Sequence, residues 1–67
     1  MNFANAYYCM REKHNVRLHG WSGYWYIKDH EIMRHPICGD DYKLCDSDDL
    51  ALVLMCCIPS NDWELAD

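Results

Sequence analysis

Residues 16–28 read Val16-Arg17-Leu18-His19-Gly20-Trp21-Ser22-Gly23-Tyr24-Trp25-Tyr26-Ile27-Lys28. Two segments rich in β-branched and aromatic residues flank Gly20-Trp21-Ser22-Gly23, a pattern that predicts a β-hairpin with a four-residue loop. Alternation puts Trp25 and Ile27 on one face of the second strand and Tyr24, Tyr26 and Lys28 on the other. Before the hairpin, Phe3, Ala6, Tyr7 and Met10 recur at helical spacing, which predicts an amphipathic helix over residues 3–13. Asn2 suits its N-cap and Asn15 the left-handed position beyond its end. A helix followed by a hairpin predicts an α+β fold, one N-terminal helix packed on a small antiparallel sheet, in a single domain over residues 1–67.

The second half is less regular. Residues 29–41, with His30, His35, Pro36 and Gly39, read as an irregular connection. Residues 50–57 allow two readings. Asp46 or Ser47 as cap, Asp48 and Asp49 in a first turn, Ala, Leu and Met content and the stop at Pro59 favour a helix. Alternatively, Tyr42–Cys45 and Leu50–Cys57 form two strands around an Asp46-Ser47-Asp48-Asp49 turn. Either way the run is apolar on every side, so it needs cover on two faces. A chain of 67 residues buries only about 60% of its unfolded surface. A second copy of the same chain is the readiest second cover, and a homo-oligomer is expected.

The net charge of −5 is unevenly spread. Residues 1–35 carry five Lys/Arg against three acids, and residues 36–67 carry Lys43 against eight. Only the first half offers cations to a phosphate, and nothing favours duplex DNA. No run approaches the roughly 18–20 apolar residues of a membrane span, and residues 1–5 lack a signal-peptide pattern. The five Cys are accordingly expected as thiols in a cytoplasm. His35-x2-Cys38 is the only tight pair among His30, His35, Cys38 and Cys45, a poor spacing for tetrahedral zinc. No metal or other cofactor is expected. No nucleophile elbow, phosphate loop or His-Glu-x-x-His motif is present, so no catalytic residue is assigned.

Ligand-binding candidates cluster at two places. Trp21 in its Gly-bracketed loop can serve as a stacking platform for a nucleobase, with the flanking Gly20 and Gly23 allowing close backbone approach and Ser22 counted in the same site. It can equally fold back on its own hairpin. Asn61 and Asp62 can bond hydroxyls or base edges. Trp63 offers another stacking surface, although a plug at the core edge is the commoner use of such a residue. Arg17, with Arg11 or Arg34, can meet phosphate oxygens bidentately.

The start Met1-Asn2-Phe3-x-x-Ala6, the helix, Val16-Arg17-x-x-Gly20-Trp21-Ser22-Gly23, the aromatic strand and the closing Asp62-Trp63-Glu64 together resemble the small phage Thoeris anti-defence sponges. The resemblance covers about the first 29 residues and the last eight. The family's Gly-Lys-Lys run between helix and strand is replaced here by Glu12-Lys13-His14-Asn15. The resemblance implies a non-enzymatic protein that sequesters a cyclic ADP-ribose isomer or cyclic dinucleotide without cleaving it. It also implies a tetramer in the cytoplasm of an infected bacterium, and a strand-turn-strand over residues 42–57, which is the expectation adopted. From the residues alone, the alternative is a small inhibitor that binds a host protein through its acidic C-terminal half.

Overall fold

The computed structural model describes all 67 residues. Helix α1 spans Phe3–Arg11, and Asn2 caps it by accepting the Asn5 N–H on its Oδ1 at 2.9 Å. Ala6 and Met10 are fully buried, as the helical spacing requires. The helix ends two residues earlier than expected. The N–H groups of Glu12, Lys13 and His14 take the carbonyls of Tyr8, Cys9 and Met10. Lys13, rather than Asn15, turns the chain left-handed at φ 72°, closing the helix as a C-terminal cap does.

Five strands follow: β1 Val16–Leu18, β2 Tyr24–Lys28, β3 Glu31–His35, β4 Tyr42–Lys43 and β5 Trp63–Leu65. They form one sheet in the order β4-β3-β2-β1-β5, antiparallel throughout. The α+β expectation therefore holds. Strand β3 corrects the reading of residues 29–41 as irregular. Asp29 and His30 form the two-residue connection from β2 to β3, both at positive φ (54° and 66°), the geometry of a tight hairpin turn.

The register aligns Leu65, Val16, Trp25, Arg34 and Tyr42 in one row across the sheet. Facing partners in such a ladder share a face, so this row lies under α1 with the core. Trp25 and Trp63 are both 2% exposed, with ring centroids 4.9 Å apart. Phe3 of α1 closes on Trp63 at 5.3 Å and on Trp25 at 6.2 Å, edge-on to the latter. An aromatic cluster of this size dominates the burial energy of a chain that fully buries only seven residues.

A cation on the core side of a sheet needs partners. The Arg34 guanidinium lies over Trp25 at 5.6 Å and Tyr42 at 5.4 Å. Its Nη1 donates to Ser47 Oγ at 2.9 Å and Asp49 Oδ1 at 3.0 Å. It thus ties the sheet to the segment entering the second helix, α2, at Leu50–Cys56. A short 3-10 turn, Leu44–Asp46, precedes it.

Helix α2 overturns the hairpin expected for residues 42–57. The Ala, Leu and Met content and the Asp-rich entry win locally, and only Val53 of its residues is buried. Leu52, Leu54 and Met55 are exposed. No helix is long and apolar enough to cross a membrane.

The opposite face of the sheet carries Glu64, which binds Arg17 Nε at 2.9 Å and His19 Nδ1 at 2.8 Å. Beyond the ends of β1 and β5, Asp67 binds His14 Nδ1 at 2.6 Å and the Asn15 N–H at 2.8 Å. Glu64 is held below the usual carboxylate range by His19 and then Arg17, and Asp67 by the Asn15 amide and then His14. Asp41 is lowered by bonds from Tyr26 and His35, and Asp49 by Ser47 and Arg34. Each favours the deprotonated form in the folded state. Their contribution is therefore complete above the ordinary carboxylate values and drains as pH falls through and below them. An acid titration followed by circular dichroism should show stability flat near pH 7 and falling below about pH 4. Substituting Asn for Asp41 and Asp67 together should flatten that limb.

Candidate functional site

The loop Gly20–Gly23 is shaped by two glycines. Gly20 sits at φ +92°, and just beyond it the Trp21 N–H donates to the Leu18 carbonyl at 3.0 Å. Only a residue without Cβ adopts that turn cheaply. Gly23 is needed for a different reason. A Cβ there would lie 2.3 Å from the His35 carbonyl oxygen, because β2 starts directly against the end of β3.

This packing leaves a cleft of about 360 Å³ between the loop, the end of β3 and Tyr42. Its walls include Trp21, Tyr24, Trp25, Arg34, His35 and Tyr42. Trp21 is half-buried and rests tilted on Trp25 at 5.6 Å and edge-on to Trp63 at 5.5 Å. It folds back on its hairpin and also lines the cleft. Arg34 uses only Nη1 for its protein bonds, leaving Nε and Nη2 free of protein acceptors.

His35 stacks on Tyr24, with centroids 4.5 Å apart and planes 18° from parallel. Its Nδ1 lies 2.7 Å from Asp41 Oδ1. The other Asp41 oxygen accepts the Tyr26 hydroxyl, a bond that pushes the Tyr26 pKa up to about 12. The imidazole is thereby fixed in orientation at the rim of the cleft.

Trp21, Ser22 and Gly23 are all found in the lining of the cleft. The remaining candidates are not. Trp63 is a core residue whose Nε1–H donates to the Cys57 carbonyl at 3.0 Å, so no base can stack on it. Arg17 is engaged by Glu64 and does not line the cleft. Asn61 and Asp62 lie outside it, before edge strand β5. Their carbonyls accept the Met1 ammonium at 3.1 Å and the His19 N–H at 3.0 Å.

Sequence reasoning missed Tyr24, His35 and Tyr42 as lining residues. Recognising β3 would have exposed them, since its register sets His35 against Tyr24 and Arg34 against Tyr42. No group of three or more His, Cys, Asp or Glu side chains is placed to hold a metal. No known protein family, characterised protein or solved structure matches the chain.

Proposed function

We propose that the chain is a non-catalytic sponge that sequesters a cyclic nucleotide signal of the cyclic ADP-ribose type, countering bacterial anti-phage defence. The observation that carries this reading is the Trp21 cleft, in which aromatic rings and a guanidinium with free donors meet at one opening. A base can stack on an indole, with about 1–3 kcal/mol per stacked base. The free Arg34 N–H groups suit phosphate oxygens. A volume of about 360 Å³ lies near the small end of ligand sites, which span about 300–1,000 Å³. It accommodates a base with its ribose, and the rest of a two-ribose diphosphate ligand would be covered by a second protomer.

The exposed Leu52, Leu54 and Met55 support such self-assembly, with a tetramer as the form the resemblance suggests. Light scattering at micromolar concentration is expected to give a multiple of 8.0 kDa, and Leu54→Glu with Met55→Glu should lower it. A stable wild-type monomer would instead favour the rival reading. In that reading the same apolar helix, beside Asp46, Asp48 and Asp49, binds a host protein.

Calorimetric titration against cyclic ADP-ribose isomers and cyclic dinucleotides tests the sponge directly. Because Trp21 also packs on Trp25 and Trp63, the informative variant is Trp21→Leu, which keeps apolar bulk and removes the stacking plane. Its affinity should fall roughly tenfold to a hundredfold, with most of the thermal stability kept. Equal affinity would dismiss the site. Ligand released by heating should be intact, because the His35–Asp41 pair is assigned an orienting role and not hydrolysis. Recovery of opened or hydrolysed nucleotide would dismiss the sponge.

A further inference from the structure

The chain has six Lys/Arg residues. Three have carboxylate partners: Arg17 with Glu64, Arg34 with Asp49 and Lys43 with Glu31. The other three, Arg11, Lys13 and Lys28, form no ion pair, and all three line one cleft of about 550 Å³ with His30 and Asp29. Exposed cations in a chain of net charge −5 have many acids within reach of pairing. Here the unpaired ones converge from two separate elements, the end of α1 and the β2–β3 turn.

The backbone is bent at the same place. Lys13, Asp29 and His30 are the three non-glycine residues with positive φ, a conformation that costs L-residues energy. Those bends set the ends of both segments around the opening. None of the acids nearby forms an ion pair with the three cations, although Lys28 is near enough to Asp41 to help lower its carboxyl. Glu31, opposite Lys28 in the register, is bound by Lys43 at 2.9 Å. Asp29 stands alone against three full cations in the lining. The carbonyls of Tyr8, Cys9 and Met10 at the end of α1 are already taken by backbone N–H groups.

We infer that this cleft is an anion site for a small, multiply charged phosphate group. It lies at the Lys28 end of β2, whereas the Trp21 cleft lies at the Tyr24 end. Four residue steps separate the two ends, about 13 Å. The inference therefore stands independently of the sponge reading. The acidic remainder of the surface repels a long polyanion, which favours a compact anion with a few charges over a nucleic acid.

Titration of the intact ¹⁵N-labelled protein with sodium tripolyphosphate at constant ionic strength tests it. Saturable shifts are expected at the backbone amides of residues 11–13 and 28–30, with residues 20–24 unmoved. Lys13→Gln combined with Lys28→Gln should weaken binding roughly tenfold or more, since each removes a charge-assisted bond. The spectrum elsewhere should stay that of the wild type. Shifts that rise linearly without saturating, or that survive in the double variant, would overturn the site. Tighter binding of a single-stranded oligonucleotide or of anionic vesicles at these amides would also overturn it, in favour of a macromolecular partner.

Discussion

Trp63→Ala is expected to leave little folded chain at room temperature. Trp63 is 2% exposed and touches Phe3, Trp21 and Trp25 at centroid distances of 4.9–5.5 Å. Truncating a buried Trp costs about 3–5 kcal/mol. A domain of this length has a total of about 3–10 kcal/mol, at roughly 0.05–0.15 kcal/mol per residue. The lost indole also removes one of the two donors to the Cys57 carbonyl, leaving it only the Ser60 N–H. Urea unfolding followed by far-UV circular dichroism should show the native baseline shortened or absent. Trp63→Phe should retain a cooperative transition at lower urea. A Trp63→Ala variant melting within a few degrees of the wild type would mean that the aromatic cluster does not hold the fold.

Gly23→Ala should be the most damaging of the three Gly→Ala changes. The clashing atom, the His35 carbonyl oxygen at 2.3 Å, belongs to the backbone. Pro36 follows it, with a ring that fixes φ and limits the adjustment available. The start of β2 must move off the end of β3, at a cost of roughly 1–3 kcal/mol. That movement also opens the Trp21 cleft, so stability and ligand affinity should fall together. Gly20→Ala meets nothing within 4 Å and strains only its own turn. It should lower the melting temperature without moving the His35 and Tyr24 resonances. Unchanged melting in Gly23→Ala would contradict the close approach of the two strands.

Helix α1 and the faces of β2 were readable because their periodicities are unbroken by charge. Strand β3 was not. Its core-side positions are Ile32 and Arg34, so alternation fails at the residue that matters most for the site. The Asp29-His30 turn also lacks the glycine that usually announces a tight hairpin. Missing β3 hid His35, and with it the register that brings Tyr24 and Tyr42 to the cleft. For residues 50–56, composition alone pointed to the helix that forms, and the motif resemblance drew the reading towards a hairpin. Asn61, Asp62 and Trp63 have side chains suited to a nucleotide. Trp63 is withheld by burial behind Trp21 and Trp25, and Asn61 and Asp62 by their place before edge strand β5, at the opposite edge from β4.

That strand order also bears on how the chain is made. Strand β1 lies between β2 and β5, and Val16 pairs with Leu65 across 48 intervening residues. During translation the β2–β3 hairpin can close as soon as it leaves the ribosome, because its partners are neighbours in sequence. The tryptophans of the loop and of β2, covered in part by Phe3 of α1, then wait for Trp63 to emerge. Nascent chains halted before that point expose an aromatic surface and a bare strand edge together, the combination that chaperones and proteases recognise. The sheet is therefore completed by the last of its five strands.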